Sequence, residues 1–452
     1  MKAKRPNRSE ARHARPVPAP PAAFESKLVQ IEKPIFGGAF LARVEGKAVF
    51  VPLTLPGEQV RVRITQSKRG YDTADPDEIV SASPDRIAPA CPHFGPCGGC
   101  SYQHTNYQTQ LAFKQLVLRE TLERGGVIAP AEINVLSAQP WHYRNRIRLA
   151  FDEAGNPGYR GRRSNAVVPI SECPIAAPLL VSAANAFARV ARSFAPAFRL
   201  SELSLFCDAA ETSLLASVFV PGAPNLPLNE FAEAIHERVP ALTGVELIID
   251  GRASQPPRTI GQWGATSLVY PASGVDYRVD HGAFFQVNRF LIDALVNEVA
   301  GNYKGSFAWD LFAGVGLFAR RLTRGFDSVV AVESAPSAVQ ALAANLKGTT
   351  GTSIPSTTLD FLRKNRKPPR SATPRPDLVV VDPPRTGLGP ELISLFTEVS
   401  APAVVYVSCD PATLARDLNA LAASGYAIQS ITLADLFPQT FHLETVVHLR
   451  RA

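Results

Sequence analysis

From about residue 280 to the end of the chain, short apolar runs alternate with helical stretches. The clearest runs cover residues 307–311, 329–333, 378–382 and 404–408. Parallel strands are buried on both faces and are joined by crossover helices, so this alternation predicts a doubly wound parallel sheet. In such sheets ligands bind beyond the carboxyl ends of the strands. We therefore expect an α/β Rossmann-like domain over residues 280–452. The last apolar run, at 444–449, has no helix after it and is expected at a sheet edge.

Two further domains are expected before residue 280. Residues 24–83 contain short alternating apolar runs separated by glycine-containing turns, a pattern typical of a small OB-like β-barrel. Basic residues on or beside its last strand either face a nucleic-acid strand or form an ordinary solvated face; they are Arg61, Arg63, Lys68 and Arg69. Residues 84–279 begin with a Cys, Gly and Pro-rich loop and a helix at about 107–124. Strands and helices then alternate without a repeat, which indicates a central α+β domain.

The basic charge of the chain is concentrated at its start. The net charge of the 452 residues is +7, and the first 23 residues carry six Lys or Arg against one Glu. These 23 residues are rich in Pro and Ala, so we expect a disordered tail that either attracts a polyanion such as nucleic acid or only aids solubility. No apolar stretch approaches the length of a membrane span, and the N-terminus lacks the apolar segment of a signal peptide. We expect a cytoplasmic protein without a membrane partner.

A cysteine stands between an apolar strand and a helix, in Ser408-Cys409-Asp410-Pro411. Asp410 is suited to cap that helix and Pro411 to occupy its first turn. The positive end of the helix is expected to lower the pKa of the Cys409 thiol and favour the nucleophilic thiolate. Taken alone, such a cysteine is better explained as a structural residue at the end of a strand, and it is the rest of the chain that favours a nucleophile.

The other strands of this domain end in acids and turns that suit a nucleoside-type ligand. The first gives Asp310 and the turn Gly314-Val315-Gly316, where the backbone can approach a ligand closely. The second ends in Glu333, which either accepts from ribose hydroxyls or caps a helix. The third ends in Asp382-Pro383-Pro384-Arg385, a rigid turn that could line a pocket for a flat base. Together they predict a nucleoside-type cofactor beside a nucleophilic thiolate.

Three cysteines cluster in one loop, in the pattern Cys91-x5-Cys97-x2-Cys100. Cys173 is the best remaining choice for a fourth ligand, whereas Cys207 lies in an apolar run and is expected in a core. Four thiolates suit either an iron–sulfur cluster or a structural zinc ion. The spacing lacks the paired Cys-x-x-Cys knuckles usual for zinc, which favours the cluster.

Five motifs in this order resemble the class I S-adenosylmethionine methyltransferases, and more narrowly the RNA 5-methyluridine methyltransferase family. They are Phe285-Gln286-Val287-Asn288, Asp310-Leu311-Phe312-Ala313-Gly314-Val315-Gly316-Leu317-Phe318, Asp382-Pro383-Pro384-Arg385, Ser408-Cys409-Asp410-Pro411 and His442-Leu443-Glu444-Thr445-Val446. The N-terminal barrel is similar to a TRAM domain, an RNA-binding module of the OB type. The resemblance extends over nearly all of the chain after residue 24.

The resemblance implies a role for each matching residue. The cofactor would be S-adenosylmethionine, bound by Gln286, Phe312, Glu333 and Asp382, with Asp360 as the contact on the adenine side. Cys409 would be the nucleophile and Glu444 the general base. Relatives with the same cysteine spacing carry a [4Fe–4S] cluster, which would here be held by Cys91, Cys97, Cys100 and Cys173.

These residue types fit the chemistry of uracil. Carbon 5 of uracil is too weak a nucleophile to attack a sulfonium methyl group unaided. A thiolate that adds to carbon 6 creates an enolate and activates carbon 5. A carboxylate can then remove the carbon 5 proton after methylation, and elimination frees the thiol. A uridine in folded RNA must leave its base stack to reach such a pocket.

The favoured hypothesis is therefore that this protein methylates a specific uridine at carbon 5 in structured RNA. The protein is expected to be a monomer. Ribosomal RNA of the large subunit (23S rRNA) is the favoured substrate, because cluster-bearing relatives commonly act on it, and transfer RNA is the alternative. A non-catalytic RNA-binding or assembly factor would need neither Cys409 nor Glu444. A DNA amino-methyltransferase would carry an aromatic residue where Arg385 follows the two prolines. A radical enzyme would need a Cys-x3-Cys-x2-Cys loop, and the chain has none.

Overall fold

The computed structural model describes residues 26–194, 198–251, 256–366 and 375–451. The predicted tail at 1–23 lies outside the described residues. Contacts divide the chain into two compact units. One contains the residues up to 33 and residues 40–82, and the other contains residues 34–39 and everything from 83 onward. Each unit is described separately below.

The first unit is the predicted barrel. Its strands are β1 (Ser26–Pro34), β2 (Ala39–Val44), β3 (Lys47–Pro52), β4 (Gln59–Ser67) and β5 (Tyr71–Ser81), closed in the order β1-β2-β3-β5-β4. Along β4, Val60 and Val62 are buried while Arg61 and Arg63 are exposed, as expected for a strand with one face in a core. Arg61 pairs with Glu78 at 3.1 Å, and Arg63 pairs with an acid on β5 at 3.3 Å. These two arginines are therefore partly neutralised on the barrel surface.

The second unit begins with the cysteine-containing loop and the long helix α1 (Tyr107–Arg124). The side chain of Asn106 caps α1 by accepting a hydrogen bond from the backbone N–H of Thr109 at 2.9 Å. After the short strand β6 (Asn134–Leu136), a seven-stranded sheet of order β13-β12-β11-β10-β7-β8-β9 follows. Its elements are β7 (Arg146–Phe151), β8 (Pro157–Arg160), β9 (Val167–Pro169), α2 (Pro178–Ser193), β10 (Glu202–Cys207), β11 (Leu214–Val220), α3 (Leu228–His236), β12 (Leu242–Ile249) and β13 (Arg258–Gly264).

This sheet is the predicted central α+β domain. Only β11 and β12 pair in parallel, and the other neighbours are antiparallel. Apolar residues of α2 and α3 pack with the strands in one core. Cys207 is fully buried there, as predicted.

The remaining elements form the predicted doubly wound domain. They are β14 (Ser267–Ala272), β15 (Val275–Asp280), α4 (Ile292–Ala300), β16 (Gly305–Leu311), α5 (Leu317–Leu322), β17 (Phe326–Glu333), α6 (Pro336–Leu346), β18 (Gly351–Pro355), α7 (Thr358–Asn365), β19 (Leu378–Val381), α8 (Gly389–Val399), β20 (Ala403–Ser408), α9 (Pro411–Ala423), β21 (Tyr426–Ala434) and β22 (Glu444–Arg451). Except for the β14–β15 hairpin, these strands join β6 in an eight-stranded sheet of order β18-β17-β16-β19-β20-β22-β21-β6.

The first five strands of this order are parallel. The chain runs outward from β16 on one side through β17 and β18, and then on the other side through β19 and β20. This reversal creates a crevice at the carboxyl ends of β16 and β19, which is where doubly wound sheets bind ligands. Two separate apolar cores cover the two faces of the sheet, so the α/β prediction is confirmed.

The position predicted for the last strand is wrong. β22 does not lie at an edge but is inserted between β20 and β21, antiparallel to both. Strand β21 was not identified in the sequence, and it provides the second neighbour that makes β22 an interior strand. The edge is instead occupied by β6, which pairs in parallel with β21 although it belongs to the predicted central domain. The boundary at 279/280 therefore does not separate two compact units.

Within the described residues, no helix has both the length and the apolar character needed to cross a membrane.

Candidate active site

The carboxyl ends of β16, β17, β19 and β20 bring together the acids and the thiol predicted from the sequence. Charges on Asp382 and Glu333 both raise the pKa of Asp310. Asp382 also raises the pKa of the Cys409 thiol. Because such charge interactions act over short distances in a buried site, these groups share one pocket edge.

The turn after β16 is built from residues in left-handed backbone conformations. Phe312 has φ 65°, which is rare for an aromatic residue, and Gly314 and Gly316 have φ 55° and 90°. The backbone N–H of Gly314 donates to Glu333 Oε2 at 2.8 Å, so the end of β17 fixes the turn. Strained conformations of this kind concentrate at ligand sites. The turn therefore presents backbone and the Phe312 ring at the carboxyl edge of the sheet.

Glu333 is held by backbone donors in the free chain. Its Oε1 accepts from the N–H groups of Ser334 at 2.7 Å and Ala335 at 2.8 Å, just before α6. These two donors precede the first turn of α6, which begins at Pro336 and has no side-chain cap among the described residues, so Glu333 fixes the strand-to-helix turn rather than capping the helix. Its contact with ribose hydroxyls stays a prediction.

Two buried acids give the pocket its electrostatic character. Asp310 is fully buried; Oδ2 accepts from the N–H of Ala319 at 2.7 Å, and Oδ1 has no partner among the described residues. Burial raises the pKa of Asp310 to about 8 and that of Asp382 to about 7. A buried acceptor without a partner is costly in a folded chain. The pocket is therefore suited to a ligand that brings a donor or a positive charge.

The remaining predicted cofactor residues differ in their surroundings. Gln286 is buried. Asn145 holds its segment with two hydrogen bonds: the side-chain amide donates to the carbonyl of Gln286 at 3.0 Å, and the backbone N–H donates to the carbonyl of Val287 at 3.0 Å. Asp360 lies at the start of α7, and its Oδ2 accepts from the Thr357 hydroxyl at 2.8 Å. Arg363 lies 3.7 Å from Asp360, whose side chain is 54% exposed. Asp360 thus completes a helix cap, and its role in cofactor binding stays a prediction.

Cys409 and Glu444 lie at the same end of two paired strands. Strands β20 and β22 are antiparallel, and Ser408 pairs with Thr445 at the end of the ladder. Cys409 follows Ser408 and Glu444 precedes Thr445, and the charge of Glu444 acts on the Cys409 thiol. Glu444 is 5% exposed, and burial together with the charge of Asp382 raises its pKa well above the usual range. Burial thus favours the protonated acid, whereas the nearby Arg385 lowers the pKa and favours the carboxylate that a general base requires.

The prediction of a lowered thiol pKa is wrong for the free chain. Burial, followed by the charges of Glu444 and Asp382, raises the pKa of Cys409 to about 11, against a smaller lowering by Arg385. Asp410 caps α9 as predicted, accepting from the N–H groups of Ala412 at 3.0 Å and Thr413 at 2.9 Å. The capping carboxylate occupies the helix end that was expected to stabilise the thiolate. The cap and the thiolate therefore compete for the same donors.

The four predicted metal ligands line one cavity. Cys91, Cys97, Cys100 and Cys173 surround a space of about 100 Å³ together with Arg144. Burial is the main cause that raises the pKa of each loop thiol, to about 12 for Cys100, and charge on Cys173 adds to it. The N–H of Gly99 donates to Cys97 Sγ at 3.4 Å, as expected where glycine exposes backbone to sulfur. In the described part of the chain, no three His, Cys, Asp or Glu side chains are grouped closely enough to hold a metal ion.

Sequence reasoning gave no role to two residues beside the nucleophile and the base. Arg385 lowers the pKa values of both Cys409 and Glu444, so it is the cation closest to their chemistry. Arg385 Nη2 also lies 3.5 Å from His442 Nδ1. Burial and Arg385 lower the pKa of His442 to about 4, so this ring is neutral at physiological pH. Both residues lie inside the quoted motifs, but the sequence analysis assigned roles only to neighbouring residues of those motifs.

Comparison with known proteins extends over nearly the whole chain. Residues 24–76 match the TRAM domain, and residues 374–452 match the tRNA (Uracil-5-)-methyltransferase family. An uncharacterized RNA methyltransferase of Streptomyces avermitilis is 34% identical, over 95% of this chain and 99% of that protein. The 23S rRNA (uracil(1939)-C(5))-methyltransferase RlmD of Halomonas elongata is 32% identical, over 90% of this chain and 85% of that protein.

A solved structure supports the architecture. The crystal structure of Pyrococcus abyssi tRNA (uracil-54, C5)-methyltransferase in complex with S-adenosyl-L-homocysteine matches with a TM-score of 0.73. It covers 94% of this chain and 100% of that chain at 24% sequence identity. The predicted fold, a methyltransferase domain with an N-terminal TRAM barrel, is therefore confirmed.

Proposed function

We propose that this chain, which belongs to the RNA (uracil-C5)-methyltransferase family, methylates carbon 5 of a uridine in 23S ribosomal RNA with S-adenosylmethionine. The observation that supports the proposal is the pairing of β20 with β22 up to Ser408 and Thr445, next to which Cys409 and Glu444 lie close enough for the charge of Glu444 to act on the thiol. A binding protein would need neither a thiol nor a buried carboxylate at that place.

The pocket residues fit S-adenosylmethionine. When bound, this cofactor supplies an electrophilic methyl group on a positively charged sulfur atom. Asp310 and Asp382 would face the cofactor at the carboxyl edge: burial raises the pKa of both, so a bound positive charge would favour their ionised forms, and Asp310 Oδ1 has no partner among the described residues. Glu333 would exchange backbone donors for the ribose hydroxyls, with Phe312 and Gln286 lining the pocket.

The protein residues would act on the uracil ring in a fixed order. Cys409 loses its proton and forms a bond from Sγ to carbon 6, which makes carbon 5 nucleophilic. After carbon 5 has taken the methyl group, Glu444 removes the carbon 5 proton. The electron pair of that C–H bond re-forms the double bond, and the bond between Sγ and carbon 6 breaks. Arg385, which favours the ionised forms of both residues, would support the thiolate and the free carboxylate.

We also propose that the four cysteines hold a [4Fe–4S] cluster. They come from two separate segments and line one cavity, as a four-thiolate site requires. The spacing Cys91-x5-Cys97-x2-Cys100 lacks the paired Cys-x-x-Cys knuckles usual for zinc, which favours the cluster over a zinc ion.

The choice of RNA rests on the relatives. The proteins of Halomonas elongata, Shewanella piezotolerans and Neisseria lactamica are 32%, 29% and 30% identical to this chain, and each is named for uracil 1939 of 23S rRNA. Transfer RNA is the second candidate, because the Pyrococcus abyssi enzyme with the same fold is named for uracil 54 of tRNA. The expected monomeric state and cytoplasmic location stay predictions.

The test is a methyl-transfer assay with tritiated-methyl cofactor and unmodified transcripts of 23S rRNA and tRNA. Wild type, Cys409→Ala and Glu444→Gln are compared with Cys207→Ala as a matched control, because Cys207 lies buried in the core of the other sheet. We expect label in 5-methyluridine of 23S rRNA with wild type and Cys207→Ala, and none with Cys409→Ala. Label in tRNA alone would change the substrate. No label in either RNA would favour a binding or assembly factor.

A further inference from the structure

The segment that leads into the proposed base is fixed at one buried residue. Residues 435–443, called here the base segment, connect β21 to Glu444. Near its middle, Gln439 is 2% exposed and has φ 68°, a left-handed conformation that is uncommon for a residue other than glycine. A backbone held in this region persists only where its surroundings impose it.

The surroundings of Gln439 are two other parts of the chain. Its carbonyl oxygen accepts from the backbone N–H groups of Ser101 at 2.8 Å and Tyr102 at 3.0 Å. Its own N–H donates to Gln110 Oε1 at 3.0 Å, and Gln110 Nε2 donates back to Gln439 Oε1 at 2.9 Å. Gln110 is 1% exposed on α1, so the whole arrangement is shielded from water. Buried and reciprocal hydrogen bonds of this kind specify one geometry.

The partners of Gln439 lie in the cysteine-containing loop or contact it. Ser101 directly follows Cys100, and the N–H of Cys91 donates to the side chain of Gln103 at 3.0 Å. Gln110 Nε2 also reaches the carbonyl of Tyr102 at 3.2 Å. The contacts of Gln439 therefore join the end of the cysteine loop to the base segment.

Packing and charge hold the rest of the base segment in the same place. Lys114, on the next turn of α1, donates to Asp435 Oδ1 at 2.6 Å and to the carbonyl of Phe437 at 2.9 Å. A side chain added at Gly38 would lie 2.9 Å from Phe441 Cδ1 and 3.1 Å from Ser101 Oγ, so these two residues crowd the same glycine. Five residues after Gln439, the chain enters β22 at Glu444.

We infer that Gln439 is a positioning residue for Glu444. Its hydrogen bonds hold the base segment against the end of the cysteine loop and so fix the place of the Glu444 carboxylate. This inference rests on the proposed function. Loss of the hydrogen bonds between Gln439 and Gln110 would displace the Glu444 carboxylate, which removes the carbon 5 proton. The thiol of Cys409, which directly follows β20, would stay in place. Proton removal would then slow more than thiolate addition or methyl transfer. A methylated RNA joined covalently to the protein would accumulate.

The test compares Gln439→Gly and Gln110→Leu with Gln115→Leu. Glycine adopts a φ of 68° without strain, so Gln439→Gly keeps the backbone bonds and removes only the side-chain contact. Gln115 is the matched control, because it lies on the same helix but its amide bonds the carbonyl of Ile133, outside the cysteine loop and the base segment. Each protein is given tritiated-methyl cofactor and unmodified RNA. Two quantities are measured: release of free 5-methyluridine RNA, and labelled RNA that stays on the protein under denaturing conditions.

We expect Gln439→Gly and Gln110→Leu to release product about tenfold to a hundredfold more slowly, the cost typical of a small misplacement of a reacting group. Both should retain labelled RNA on the protein, and Gln115→Leu should match wild type. Slower release without retained RNA, or unchanged release, would overturn the inference. Should Gln110→Leu not fold, Gln439→Gly decides alone. Absence of 5-methyluridine with wild type would refute the proposed function instead.

Discussion

The ionisation of Cys409 offers a quantitative test of the site's electrostatics. Its thiol pKa of about 11 lies two units above the ordinary value of 9.0. At pH 8 about one thiol in a thousand would be ionised, against about one in eleven for an unperturbed thiol. The free protein should therefore react with alkylating agents roughly a hundredfold more slowly at Cys409 than an exposed cysteine does.

Two substitutions should move this pKa in opposite directions. Glu444→Gln keeps the shape of the side chain and removes a negative charge, so it should lower the pKa of Cys409. Burial is the largest cause of the shift and is unchanged, so the new pKa should stay above 9.0. The gain in thiolate at pH 8 is then less than about a hundredfold. Arg385→Gln removes the cation that lowers the pKa and should raise it further.

The assay is the rate of iodoacetamide alkylation between pH 6 and pH 11, read by mass spectrometry on the peptide that contains Cys409. Glu391→Gln serves as a matched control, since Glu391 is an exposed acid of α8 that pairs with Arg363. Its curve should overlay that of wild type. A midpoint that rises with Glu444→Gln, or that falls with Arg385→Gln, would refute this description of the charges around the thiol.

Three predictions concern stability, each measured by urea unfolding. Lys114→Met leaves Asp435 buried without its ion-pair partner, 2.6 Å away in the wild type, and should lower the free energy of unfolding by about 3–5 kcal/mol; an unchanged value would contradict the buried pair. The pKa of Asp310, raised from 3.8 to about 8, means that the folded chain retains a proton that the unfolded chain releases. This carboxyl should therefore contribute stability that is lost as the pH rises from about 4 to 8, so wild type should lose stability relative to Asp310→Asn over that range; a difference between the two proteins that stays constant or changes in the opposite sense would disprove the shift. A Cβ at Gly158 would lie 2.2 Å from a backbone carbonyl of β9, so Gly158→Ala should cost about 1–3 kcal/mol, whereas Gly222→Ala, with no atom within 4 Å, should be nearly neutral.

The architecture of the C-terminal half could be predicted because its strands are apolar on both faces. The residues of β19 and β20 are all buried, and such runs are distinctive in a sequence. The place of β22 could not be predicted in the same way. Its insertion between β20 and β21 depends on pairing with other strands, and the apolar pattern of β22 itself does not indicate which strands lie beside it.

The sequence identified which residues meet at the site better than it did their electrostatics. Cys409 and Glu444 were identified from their motifs, and the fold brings them close enough for the charge of Glu444 to act on the thiol, whereas their catalytic roles stay predictions. The direction of the thiol pKa shift was wrong because burial and the charges of Glu444 and Asp382, which the fold brings to the thiol from other strands, outweigh the helix end. Gln439 gave no signal at all, since its partner Gln110 lies 329 residues away in the sequence and only the fold brings the two side chains together.

The most direct test of the central claim is to trap the bond between Cys409 and the RNA. An RNA with 5-fluorouridine at the target position has no carbon 5 proton for Glu444 to remove, so elimination stops after methyl transfer. With S-adenosylmethionine present, the account predicts a complex that survives denaturation, carries one RNA per protein, and maps to the peptide containing Cys409. The complex should form with Cys207→Ala and be absent with Cys409→Ala. Attachment at another residue, or no complex from protein that methylates normal RNA, would contradict the account.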